Sequence, residues 1–361
     1  MRVSVILRYI GTVMLCVSAF MMVSAVISYM NNIDSGFYPL LLSALLTFTL
    51  GAFPMLFVPR ATSISNKEGF SIVVGSWVLA SVVGMFPYLI WGGEFTLINA
   101  WFESVSGYTT TGSTILNDIE ALPHSLIFWR SSTHYIGGLG VVVFLLLVMP
   151  DASPYRLKLT NMELSSLSKE GYRYKSSKTI AIITKVYVAL TVVIFLSLWA
   201  AGMSSFDALN HAFSIAATGG FSTRNLSIGY YHSDLINLLV IFFMAISALH
   251  FGLIYSTFMR KANNIFRSEV VRTYVGVIVA ATLFIGASLY FADIYPNIFT
   301  SLRQSVFQVV SLITTTGFAT ADTNLWTPFA IVILIILSIV CGCAGSTSGG
   351  AKVDRVLLYG K

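Results

Sequence analysis

Residues 106–116 read SGYTTTGSTIL, four threonines and two glycines inside a chain of 361 residues that is 56% hydrophobic and 10% charged. Such a stretch can face lipid only at several kcal/mol for each unpaired backbone group, so it is either packed by protein or lines water. Its surroundings are strongly apolar. Mean hydropathy is +0.81, outside the range of soluble globular chains. Uncharged runs at 9–30, 35–59, 69–93, 131–150, 186–206, 235–259, 273–292 and 323–351 each approach or exceed the ~20 residues of a spanning helix. The reading is an all-α polytopic membrane protein with about eight transmembrane helices. The first run, behind Arg2 and Arg8, exceeds the roughly 7–15 residues of a signal-peptide core and no A-x-A site follows it, so it is read as a helix.

The opening stretch recurs. FSIAATGGFST at 213–223 and VSLITTTGFAT at 310–320 align with VSGYTTTGSTI at 105–115, matching Gly112, Gly220 and Gly317. Ser106, Ser214 and Ser311 stand six residues before the glycines, and Thr110, Thr218 and Thr315 two before. Each copy follows a moderately apolar stretch of roughly 10–14 residues, too short to cross a bilayer. The glycine spacings of 108 and 97 residues define a unit of span, re-entrant short helix, Thr/Gly turn and span. One T-x-G turn is ordinary helix-ending chemistry; three in register are a repeat. The implied organisation is a two-helix membrane domain at 1–60 and pore repeats at 61–160, 161–262 and 263–361.

Charge orients the units. With the N-terminus inside, 18 of the 21 Lys and Arg fall on the cytoplasmic side, and only Arg130, Arg224 and Arg303 lie elsewhere. Nine of 15 acidic residues (Asp34, Glu94, Glu103, Asp118, Glu120, Asp207, Asp234, Asp293 and Asp322) fall outside. That surplus would steer cations, and it is equally what loops poor in Lys and Arg look like. Arg130 is either a donor to pore-loop carbonyls or a snorkelling residue.

Enzyme and metal chemistry find no support. Cys16, Cys341 and Cys343 lie in apolar runs and read as core residues. The five histidines have no metal-ligand spacing. There is no G-x-S-x-G elbow, and GSTSGGAK at 345–352 lacks the Lys-Ser/Thr of a phosphate loop. No cofactor and no nucleic acid are expected.

A short helix entering from outside points its partially negative C-terminal end at the bilayer centre, where it stabilises a cation. Glycine lets the returning backbone turn carbonyls inward, and a ring of such carbonyls replaces an ion's hydration shell. Thr110, Thr111 and Gly112, with Thr218, Gly219 and Gly220, and Thr315, Thr316 and Gly317, are the expected filter residues. Ser106, Ser214 and Ser311, with Glu103, His211 and Gln308 nine residues before the glycines, are expected to hold the filter backbone from behind; direct ion ligation is the alternative. Residues 342–350 carry four glycines, two serines and a threonine, which disfavours helix. Gly342, Gly345, Ser346, Thr347, Ser348, Gly349 and Gly350 form either a gate beneath the filter or a small-residue packing motif. Lys352 is its cytoplasmic end or a positive-inside anchor.

These units resemble the Trk/Ktr/HKT superfamily of potassium transporters, whose repeats resemble a potassium-channel subunit. Two spans before the first unit, with HYIGGLGVVVFLLLVMP (134–150), GGFSTRN (219–225) and CGCAGSTSGGAKVDR (341–355), are similar to its bacterial TrkH branch. The resemblance covers essentially the whole chain. It implies potassium uptake through a carbonyl-lined selectivity filter gated by the intramembrane loop, in a bacterial inner membrane with the N-terminus cytoplasmic. It also implies a homodimer on a cytosolic nucleotide-binding regulatory ring, for which the basic segments 151–185 and 260–272 are docking candidates; anionic lipid suits them equally. The family uses four units, and the repeat period places a fourth glycine near roughly position 417, beyond Lys361. The fourth repeat is expected from a longer polypeptide or a second chain. An ion-coupled secondary transporter with broken helices and a non-conducting fragment that scaffolds a partner are the competing readings.

Overall fold

A computed structural model of the chain describes residues 1–61, 64–147, 176–259 and 264–359. The described residues gather into two compact units, one carrying the helices through position 147 and the other the chain from Ala181 onward. Most of the basic segment 151–185, residues 260–263 of the second basic segment, the end of the fourth apolar run and Lys361 lie outside the described residues.

In the first unit, α1 (Val3–Met30) and α2 (Phe37–Phe57) form an antiparallel hairpin. Its helices touch backbone to backbone: a Cβ on Gly11 would stand 2.6 Å from the Gly51 carbonyl, and one on Gly51 2.8 Å from the Gly11 carbonyl. Higher up, Ser18 donates to the Ala44 carbonyl at 2.8 Å, the small-residue and hydroxyl packing that holds helices together where no hydrophobic gradient exists. The Asp34 carboxylate closes the turn between them, accepting from Ser28 Oγ at 2.6 Å, Ser125 Oγ at 2.6 Å and the Gly36 amide at 3.0 Å.

A capping box of Ser65 and Glu68 starts α3 (Asn66–Gly84), satisfying two orphan amides at once. Glu68 also pairs with Arg2, tying the starts of α1 and α3. Pro87 opens α4 (Phe86–Trp91), which continues α3, the two making one candidate span from Lys67 to Trp91. The short α5 (Leu97–Tyr108) and α6 (His124–Leu147) complete the unit. Gly137 of α6 lies against the last turn of α5, where a Cβ would meet the Tyr108 carbonyl at 2.3 Å.

The second unit holds α7 (Ser176–Ala200) from Ala181 onward, short α8 (Ser205–Ala216), α9 (Asp234–Ser247), α10 (Phe251–Phe258), α11 (Glu269–Phe291), α12 (Ile298–Ile313), α13 (Pro328–Val340) and α14 (Val353–Tyr359). All eight apolar runs correspond to a helix or a broken helix. Five described helices are long and apolar enough to cross a membrane, six when α9 and α10 are joined. Breaks explain two of the shortfalls. The eighth run stops at Val340, where glycines take over. The sixth bends by 103° between α9 and α10, a break that its apolar sequence conceals.

Candidate functional site

The three re-entrant units share one construction. Their short helices α5, α8 and α12 are capped by Thr96, Ser204 and Asn297, each accepting from an amide of the first turn. At 12, 12 and 16 residues they reach about 18–24 Å at 1.5 Å per residue, short of a ~30 Å hydrocarbon core. Each ends alike: the amides of Thr111, Gly219 and Thr316 reach back to the carbonyls of Ser106, Ser214 and Ser311 at 2.9, 2.8 and 2.9 Å. Thr110, Thr218 and Thr315 have φ of 53°, 53° and 59°, and Gly112, Gly220 and Gly317 of 78°, 87° and 85°. A β-branched residue at positive φ is a steric outlier, and such strain persists only where the surroundings over-determine it. Here it occurs three times at one register.

The returning chain is bound to its short helix in a repeated pattern. The residue nine before the glycine meets the residue two after it in the first two units: Thr114 donates to Glu103 at 3.0 Å, and His211 Nε2 lies 3.0 Å from Ser222 Oγ. The residue thirteen before meets the residue three after in the last two: Thr223 donates to Asp207 at 2.6 Å, and Thr320 to Gln304 at 2.8 Å. Gln308 donates to the Ala321 carbonyl at 3.3 Å. Ser106 and Ser311 donate across the turn to the carbonyls of Ser113 and Phe318, both at 2.6 Å. Glu103, His211 and Gln308 therefore bind the return segments.

Ion pairs supply what the sequence left open. Arg130 does not snorkel: it is 1% exposed and its Nε stands 2.5 Å from the fully buried Glu103. Arg224 pairs with Asp207 at 2.9 Å and stacks over Tyr230, 4.4 Å from the ring centre. Arg303 pairs with Asp234. All three basic residues assigned away from the cytoplasmic side are thus neutralised by acids. These pairs take Glu103, Asp207 and Asp234, three of the nine carboxylates that the charge pattern assigns to the outer side, out of any free steering field.

Within the second unit the Thr/Gly turns of the second and third repeats are in contact. A Cβ on Gly220 would lie 2.0 Å from the Thr316 carbonyl oxygen, whereas one on Gly317 would meet nothing within 4 Å among the described residues. Beneath them, residues 341–352 are irregular between α13 and α14. Thr347 donates to the Ala216 carbonyl at 3.1 Å, and the Gly349 amide to Thr315 Oγ1 at 2.8 Å. Ser346 and Ser348 lie 2.9 Å apart, Oγ to Oγ, and Lys352 donates to the Ser348 carbonyl. The loop also joins the break in the sixth run: the Cys343 amide bonds the Ala248 carbonyl at 2.9 Å, and the Phe251 amide the Gly345 carbonyl at 3.1 Å. Cβ positions on Gly342 and Gly345 would fall 2.9 Å from Ala248 Cβ and 2.5 Å from His250 Cδ2, and Gly345 has φ of 76°. Gly350 also has a left-handed φ of 68°. Asp354 accepts from the Ala344 amide at 2.5 Å. Sequence reasoning missed Ala248 and His250; the only signal was a histidine interrupting an apolar run.

Comparison with known proteins decides the family. The TrkH cation transport protein family matches residues 30–360. The chain belongs to that family. Among TrkH proteins, the Trk system potassium uptake protein of Salmonella typhimurium is 37% identical over 301 residues, covering 82% of this chain and 62% of the relative. That of Halomonas elongata is 32% identical over 364 residues, covering 99% and 75%. The crystal structure of the potassium transporter TrkH from Vibrio parahaemolyticus superposes with a TM-score of 0.88 at 30% identity, over 100% of this chain and 75% of that one. The chain spans about 62% of the length of the first curated relatives it matches. Its homologues are transporters, and it is a multi-pass membrane protein of helices and re-entrant pore helices.

Proposed function

We propose that this TrkH-family chain carries three of four filter segments, and the gate, of a potassium-uptake pathway. The observation that carries the reading is the threefold recurrence of a left-handed Thr, an intervening residue and a left-handed Gly at the end of a half-membrane helix. Alternating backbone handedness swings successive peptide dipoles to one side of the chain, where a strand would alternate them. Thr110, Thr111 and Gly112, Thr218, Gly219 and Gly220, and Thr315, Thr316 and Gly317 supply carbonyl oxygens to a dehydrating K⁺. The helix ends add partial negative charge. Ser106, Ser214, Ser311, Glu103, His211 and Gln308 preserve the spacing by binding the returning backbone. A further filter segment belongs against Gly317, as Thr316 lies against Gly220.

Residues 342–350 gate the pathway. Their bonds to Ala216 and Thr315 support this reading: a loop tied to the ends of two such segments has to withdraw for ions to leave. The N-terminus is cytoplasmic and the membrane is the bacterial inner membrane. The assembly is a homodimer on a cytosolic nucleotide-binding ring, and the protein is no enzyme. The paired breaks at 248–250 and 341–352 also support an ion-coupled transporter, which differs in giving saturable flux at fixed stoichiometry.

The test is rubidium uptake by cells lacking their own potassium uptake, expressing the chain alone and with a homologous fourth repeat supplied separately. Gly220→Asp is the control. Uptake that requires Gly220 in either condition supports the filter. No uptake in both, with normal amounts of protein in the membrane, overturns it.

A further inference from the structure

A groove of about 470 Å³ runs between α1, α2 and α3, within the ~300–1,000 Å³ of small-molecule sites. Ile10 and Met14 are buried in its floor, and Leu7, Leu50, Phe53 and Leu79 are exposed along its walls. Its shape follows from glycine: the Gly11–Gly51 contact pulls two helix backbones together, so larger neighbours stand as walls around a depression. Thr49, the hydroxyl in the lining, is satisfied by the Leu46 carbonyl at 2.8 Å, so the groove asks for no polar partner along its length.

One end is different. Arg8 follows Leu7 on α1, and its Nη1 donates to the Met55 carbonyl at 2.7 Å and to the Val58 carbonyl. Those carbonyls lie at the end of α2, where the helix terminus leaves acceptors without an intrahelical donor. The guanidinium is therefore fixed by one nitrogen. Among the described residues its Nε and Nη2 edge makes no hydrogen bond. A planar, pinned guanidinium with an open edge is a preorganised bidentate receptor for a phosphate diester. Arg60, exposed, is two residues beyond Val58.

We infer that this groove binds one anionic phospholipid, with an acyl chain along Ile10, Met14 and Leu50 and its phosphate on Arg8, supported by Arg60. Lipid tails are as apolar as leucine, so the groove alone gives no preference over bulk lipid. Phosphatidylcholine offers the same phosphate diester but offsets it with its own trimethylammonium, so selectivity comes from the lipid's net charge at the basic end, at roughly fivefold for each basic residue engaged. The bound lipid bridges α1, α2 and α3 on the side of the membrane where the N-terminus lies.

The test is native mass spectrometry of the delipidated full chain in detergent, titrated with phosphatidylglycerol or phosphatidylcholine of identical chains. One phosphatidylglycerol is expected to be held at least fivefold more tightly than phosphatidylcholine. Arg8→Gln should erase that preference, Arg60→Gln reduce it, and Arg267→Gln in the second unit leave it unchanged. Arg8→Gln also releases the end of α2, so Leu50→Trp, which fills the groove and keeps that clip, is the second arm; it should eject the tightly held lipid. Equal retention of both lipids by the unaltered chain, or unchanged phosphatidylglycerol retention in Leu50→Trp, overturns the assignment.

Discussion

Gly220 and Gly317 occupy the same register and nearly the same backbone conformation, φ 87° and 85°, yet alanine should affect them very differently. Either substitution places a Cβ at positive φ, at about 1–2 kcal/mol. At Gly317 the new methyl of the 361-residue chain meets nothing within 4 Å among the described residues, so in that chain the cost ends there. At Gly220 it would lie 2.0 Å from the Thr316 carbonyl oxygen and 3.1 Å from its carbon. Those are backbone atoms, and relief requires moving the neighbouring filter segment by more than an ångström. Overpacking adds about 1–3 kcal/mol, so Gly220→Ala should cost about 2–5 kcal/mol in all. The assay is thermal unfolding of the 361-residue chain in detergent beside rubidium uptake in the reconstituted pathway. Gly220→Ala should melt well below Gly317→Ala and conduct at background. Equal melting temperatures of the 361-residue chain, or the larger melting loss at Gly317, would refute the argument that contact between the adjacent Thr/Gly turns, and not backbone strain, makes glycine necessary at position 220.

Three further outcomes follow from the same contacts. Glu103→Gln or Arg130→Met alone leaves one buried charge unpaired and should cost about 3–5 kcal/mol, while the double variant recovers most of that in the same melting assay. Gly345→Ala drives a methyl to within 2.5 Å of the His250 ring and should loosen the loop, raising rubidium leak and the labelling of buried Cys343; adding His250→Ala should reverse both, and failure of that rescue would count against the contact. Asp34 is half-buried; burial pushes its carboxyl up, but hydrogen bonds from the Ser125 and Ser28 hydroxyls and from the Ser125 and Gly36 amides outweigh it and leave the pKa lowered. Because the folded value lies below the unfolded ~3.9, its contribution is complete above that value and disappears as pH falls through the folded pKa. Asp34→Asn should therefore lower the melting temperature at neutral pH and flatten its decline in acid.

Much of this was open to reading in one dimension. Apolar runs report spans because a bilayer demands about twenty residues of them, and the T-x-G register reports the re-entrant units because its backbone conformation admits few alternatives. The serines and the residues nine before each glycine were legible as neighbours of the turn, since a helix and the chain that reverses from it remain close at short separation. Their partners were harder to read. Nothing in the spacing of Glu103 and Arg130, 27 residues apart, distinguishes a buried pair from an outer carboxylate and a snorkelling arginine. The break before His250 was also invisible, because an apolar run looks the same whether or not its helix is interrupted.

Local sequence by itself determined the class of protein, the threefold unit, the chain reversals and the glycine-rich loop, all set by hydrophobic length, caps and the few residues that tolerate left-handed backbone. Tertiary structure alone decided which strained turn lies against which, as Gly220 does on Thr316. It also decided which acid neutralises which arginine, and that two broken helices join through Ala248 and Gly345. Those contacts link residues from 17 to 96 positions apart, and their energies depend on distance and burial, which no local pattern encodes.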